Sequence, residues 1–75
     1  MELYGDRDRD SNVLQYEIGD DYIVVEFKSG KTRFYKYTIA SAGQAVILEM
    51  HRLARQGDGL GSFISNEHPS YESKW

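Results

Sequence analysis

Asp6, Asp8 and Asp10, followed by Glu17, have the spacing that most resembles a chemical site in this chain. Acids at the first, third, fifth and twelfth positions of a loop are the hard oxygen ligands that calcium takes, and Val13 falls at the apolar eighth position. Other residues break the pattern. Ser11 stands where such a loop needs the glycine of its sharp turn, Leu14 occupies a ligand position, and the five residues before Asp6 leave no room for an entering helix. Alternating acids and arginines have nothing to bury, so residues 1–10 are expected to form a flexible, solvated charged arm.

The other reactive residue types are scattered. Gly57, Gly59 and Gly61 follow a helical pattern rather than a strand, so they offer no helix N-terminus to a phosphate and fit neither a dinucleotide fingerprint nor a P-loop. His51 and His68 are the only histidines, and neither has a partner at metal-ligand spacing; His51 is expected on the solvated face of its helix. The serines come without a nucleophile motif, and there is no cysteine to supply a thiolate or a disulfide. The expectation is a non-enzymatic protein without metal or cofactor.

Rings and positive charge do concentrate in one stretch, Tyr22 to Thr38. Two runs of β-branched and aromatic residues flank Ser29-Gly30, which signals a hairpin. Tyr22, Tyr35 and Tyr37 with Lys31, Arg33 and Lys36 are the ingredients of single-stranded nucleic-acid recognition, in which bases stack on rings at ~1–3 kcal/mol each and cations meet phosphates. Strands also favour tyrosine for its half-buried ring, so the same residues suit a core. Register decides between the two. A two-residue loop at Ser29-Gly30 sets Glu26 opposite Arg33, Val24 opposite Tyr35 and Tyr22 opposite Tyr37. A three-residue loop ending at Lys31 turns Tyr35 and Tyr37 toward Ile23 and Val25. Both registers are compatible with the sequence.

The elements around the hairpin follow from pattern. Val13–Ile18 reads as a first strand and Gly19-Asp20-Asp21 as its turn; in the second strand Ile23, Val25 and Phe27 share a face. Ser41 with Gln44 matches a capping box and Gly57 a helix stop. Between them Ala42, Val46, Ile47, Met50, Leu53 and Ala54 form one apolar stripe. Leu48 lies outside the stripe, a contact for a partner or the tail. Residues 57–62 read as a flexible connector, Phe63-Ile64 as a short docked turn or helix, and Pro69 biases His68 toward an extended backbone. Tyr71 and Trp75 make the tail apolar. The expected fold is α+β: a three-stranded antiparallel meander, one helix on one face, and a short C-terminal segment closing the edge.

Seventy-five residues make one domain, which buries roughly 60% of the surface it exposes unfolded. No apolar run approaches the ~20 residues of a membrane span, and the first residues lack the basic and apolar regions of a signal peptide. With no cysteine, these features point to a soluble, cytoplasmic protein without a membrane partner. The net charge of −3 is segregated: residues 1–21 carry −5, residues 22–57 carry +4 and residues 58–75 carry −2. That is either a basic face on an acidic protein or acidic ends solvating a sticky middle.

From Ser11 onward, about 60 of the 75 residues, the chain resembles the KTSC domain. That small module is named for its place at the C-terminus of some lysyl-tRNA synthetases and also stands alone. Ser11-Asn12-Val13 fits its opening, Val25 to Gly30 its strand and glycine turn, and Tyr35-Lys36-Tyr37 its Tyr-x-Tyr motif with Ile39 following. The helix after Ser41 and Gly61-Ser62-Phe63-Ile64 match the general layout, while Ala40 stands where the family commonly has proline. The resemblance implies one KTSC-like domain over residues 11–75 and, from its attachment to a tRNA-handling enzyme, RNA as a ligand carried on Tyr35 and Tyr37. The competing expectation is a protein-interaction module, self-associating or partnered through Leu48 and Trp75. A small phage- or mobile-element-type inhibitor of a host system is of that kind.

Overall fold

The computed structural model describes residues 1–5 and 12–75. Asp6, Asp8 and Asp10 of the calcium-like spacing lie outside those residues. Among the described residues, no three His, Asp or Glu side chains are grouped to hold a metal.

Alternation over residues 13–38 produces the centre of the sheet. Strands β1 (Glu2–Leu3), β2 (Val13–Ile18), β3 (Tyr22–Phe27), β4 (Phe34–Thr38) and β5 (Ser73–Lys74) lie in the order β1-β2-β3-β4-β5. Every neighbouring pair is antiparallel. The three-stranded meander is therefore the middle of a five-stranded sheet, with a two-residue strand on each edge. Short edge strands of this kind leave little unpaired backbone for another chain to join. In β2 the register shifts between Val13, which faces Phe27, and Gln15, which faces Glu26. The shift inserts Leu14 as an extra residue and lets both Val13 and Tyr16 reach the core although they are three apart.

Three helices follow β4: α1 (Ile39–Ala42), α2 (Gln44–Gln56) and α3 (Leu60–Glu67). The cap is Thr38, three residues before the expected Ser41. Thr38 Oγ1 accepts from the Ser41 backbone N–H, and Ser41 Oγ accepts from the Thr38 N–H, each at 3.0 Å. This is a capping box, but one built on Thr38 rather than on Ser41 and Gln44. Gly43, at φ 96°, then separates α1 from α2, a backbone that residues with a Cβ rarely adopt. Gly57 ends α2 in the left-handed region, with its N–H donated to Leu53 O and Ala54 O. The expected connector is α3 itself from Leu60 onward.

The core lies between the helices and one sheet face. Val13, Tyr16, Ile23, Val25 and Tyr37 meet Ile47, Met50, Leu53, Ala54 and Leu60. Fully burying each of the larger aliphatic side chains contributes roughly 1.5–3 kcal/mol. His51 belongs to this interior rather than to the solvated helix face: it is 6% exposed, and its Nε2 lies 2.9 Å from the Tyr22 carbonyl. A ring that can satisfy its donor on a strand carbonyl loses little by being buried. The N-terminal residues also differ from a loose arm. Glu2–Leu3 pairs with β2, and Tyr4 is buried with its hydroxyl accepting the Leu60 N–H at 3.0 Å.

Candidate functional site

The hairpin adopts the register in which Tyr35 faces Val25 and Tyr37 faces Ile23. Glu26 accordingly faces Phe34 rather than Arg33. Tyr35 and Tyr37 turn to the helix-covered side, while Tyr22 and Lys36 belong to the opposite, uncovered side. The six residues of the expected nucleic-acid site are thus divided between two faces.

The uncovered face is rich in carboxylates. Lys36 Nζ sits 5.0 Å above the Tyr22 ring and 3.7 Å from a Glu72 carboxylate oxygen. The Tyr22 hydroxyl donates to Glu17 at 2.9 Å, and that bond, then the Glu17 charge, raises the phenol above its ordinary value. Glu26 accepts a hydrogen bond from Gln15. Tyr22 and Lys36 are already partnered among acids that would repel phosphate, so they leave the proposed site.

The covered side opens as a groove of about 830 Å³ where β4 emerges from beneath the helices, within the ordinary range for ligand sites. Its floor is Tyr35 and Tyr37. One wall is the hairpin loop with Ser29, Lys31 and Thr32; the other is the end of α3 and the turn from His68 to Tyr71. Hydrogen bonds hold the second wall in place: Ser41 Oγ donates to Ser70 O at 2.8 Å, and the Glu72 N–H donates to Lys36 O at 2.7 Å. His68 turns the chain out of α3 at φ 47° and ψ 56°, a left-handed conformation rather than the extended one that Pro69 favours. Its N–H caps α3 on Ile64 O. A non-glycine residue held there stores strain, of the kind that gathers at binding sites.

The rings form a chain along the groove. Phe27 meets Tyr35 edge-on at 5.4 Å, Tyr35 lies nearly parallel to Tyr37 at 6.3 Å, and Tyr71 meets Tyr35 edge-on at 5.1 Å. Tyr37 is 2% exposed, and burial, then the neighbouring Tyr35 and Tyr71 phenols, pushes its pKa up to about 12. Lys74 Nζ lies 5.4 Å from the Tyr71 ring centre, and the Tyr71 phenol, then Tyr35, holds the ammonium above its ordinary value. No Asp or Glu lines the groove among the described residues, although the chain is net acidic.

The groove keeps Lys31, Tyr35 and Tyr37 of the expected set. It adds His68 and Tyr71, with Lys74 over the Tyr71 ring, none of which the sequence pattern assigned to a site. Only the aromatic residues after Pro69 signalled that the C-terminal tail would dock. Arg33 is exposed where β4 begins, its backbone N–H bonded to Trp75 O at 3.1 Å. Trp75, 56% exposed, stacks on Phe34 at 5.5 Å and 5° on the uncovered sheet face, and Leu48, 54% exposed, is on the helix layer. The two do not form one surface. No helix among the described residues is long and apolar enough to cross a membrane. Compared with family models, curated proteins and solved structures, the chain matches none of them.

Proposed function

We propose that this protein is a non-enzymatic binding module that takes single-stranded nucleic acid, RNA foremost, along the groove above Tyr35 and Tyr37. The observation that carries the reading is a phenol-lined groove to which no described residue contributes a carboxylate, edged by Lys31, on a chain of net charge −3. Among the described residues, an aromatic groove without acids on an acidic protein is the place where an anionic, ring-bearing ligand meets least repulsion. Bases stack on the accessible Tyr71 and Tyr35 rings, and Lys31, Lys74 and Arg33 face the backbone phosphates. The ordered motifs that resemble the KTSC domain point the same way.

The test is a titration of the isotope-labelled protein with mixed-sequence single-stranded RNA, followed by amide NMR at low and moderate salt. Salt-sensitive shifts are expected at residues 31–37 and 65–74, because phosphate contacts release counterions. Tyr71→Ala, at a ring 43% exposed, is expected to weaken binding about 5- to 100-fold, the worth of one stacked base, with the dispersed spectrum retained. A folded spectrum that does not respond at low salt overturns the reading.

A further inference from the structure

One nearly covered polar group in the groove has no partner among the described residues. Tyr37 is 98% covered, yet its hydroxyl bonds to no described residue. Every fully buried side-chain nitrogen or oxygen among the described residues has a partner, so the Tyr37 oxygen must open onto the groove that the residue lines. The Tyr35 ring lies beside it and the Tyr71 ring beside that of Tyr35; the Tyr71 hydroxyl accepts from Lys74, and neither phenol donates to an acceptor among the described residues. Burial holds the Tyr37 phenol above its ordinary value, so it stays a donor well into alkali. Three phenols gathered along one groove, a Lys74 ammonium at the Tyr71 ring, Lys31 on the rim and no carboxylate among the described lining residues together describe a receptor for an oxyanion.

We propose that this floor receives the terminal phosphate of a nucleic-acid strand, a proposal that rests on the nucleic-acid reading of the groove. The phosphate oxygens accept from Tyr37 and from the phenols of Tyr35 and Tyr71, while Lys31 and Lys74 balance the charge. A terminal group is selected over an internal one by depth. An internal phosphodiester could reach a phenol this covered only by drawing the nucleotides on both sides down with it. A phosphomonoester has one attachment, a third terminal oxygen and a second partial charge.

The experiment compares one single-stranded RNA sequence in three forms: without terminal phosphate, with a 5′-phosphate and with a 3′-phosphate. One phosphorylated form is expected to bind at least about tenfold more tightly than the unphosphorylated strand, the worth of a charge-assisted hydrogen bond or two. In Tyr37→Phe, which removes only the oxygen, the ratio is expected to fall toward one. Tyr71→Phe, at an exposed ring, gives the same readout without touching the core and is expected to lower the ratio in part. Equal affinity for all three strands overturns the terminal-phosphate proposal and leaves the nucleic-acid reading standing. Failure of every strand to bind overturns both. Full phosphate preference in both folded variants overturns the assignment to the phenols.

Discussion

Tyr37 carries two roles at one residue, a ring in the core and an oxygen in the groove, and its titration reports on both. Burial raises the folded-state pKa from the ordinary phenol value of 10.0 to about 12. The folded protein thus binds the Tyr37 proton more tightly than the unfolded chain. The resulting stability is fully present below pH 10 and is lost as the pH rises from there through about 12. The loss is on the order of 2 kcal/mol, short of what complete burial would give because the oxygen meets solvent in the groove. The prediction is that urea midpoints of the wild type fall more steeply between pH 10 and 12 than those of Tyr37→Phe. At neutral pH the two should agree within about 0.5 kcal/mol, since the hydroxyl has no partner among the described residues to lose. Parallel alkaline curves would mean that Tyr37 titrates like a solvated phenol.

At the scale of the elements, sequence pattern located the three long strands and missed the starts and stops that depend on tertiary partners. The β2–β4 hairpins were legible because Val, Ile, Tyr and Phe alternate around the turns at Gly19 and Gly30. The hairpin register was not, because Ser29-Gly30 serves loops of either length and only packing on the helices chooses between them. The helix start was displaced for a similar reason. Ser41 is a strong cap by type, but its hydroxyl both closes the Thr38 capping box and donates to Ser70 O in the C-terminal wall, a contact 29 residues away. A contrast between substitutions checks this. Thr38→Val is expected to cost about 1 kcal/mol, the usual worth of a side-chain cap, because it leaves the Ser41 N–H without its acceptor. Gln44→Ala, at an exposed side chain that a box starting at Ser41 would need, is expected to stay within about 0.5 kcal/mol. Denaturant midpoints of the two variants with unchanged slopes are the measurement. The reverse order would restore the helix start at Ser41.

Across the whole molecule, the features least legible in sequence are those that tie the ends of the chain to its centre. Two-residue strands such as Glu2–Leu3 and Ser73–Lys74 are too short for any alternation to announce them. Tyr4 sits beside a run of charge that reads as solvated, and its partner Leu60 is 56 positions away. Yet Tyr4 is 7% exposed and holds the first N–H of α3, so the N-terminal strand stabilises the same helix whose far end walls the groove. A domain of 75 residues has about 4–11 kcal/mol of stability in all. Truncating a buried aromatic ring costs about 3–5 kcal/mol, and here it also strands the Leu60 N–H. Tyr4→Ala is therefore expected to remove a third or more of the total stability, lowering the urea midpoint steeply or leaving a population unfolded without denaturant. Leu3→Ala, at a side chain 75% exposed on the same short strand, is expected to change stability by no more than about 0.5 kcal/mol. If both variants were silent, the N-terminal residues would be the loose arm that their charge suggests. A large loss at Tyr4 alone would instead establish that a ring next to a charged run of sequence holds the helix layer, and through α3 the groove wall, in place.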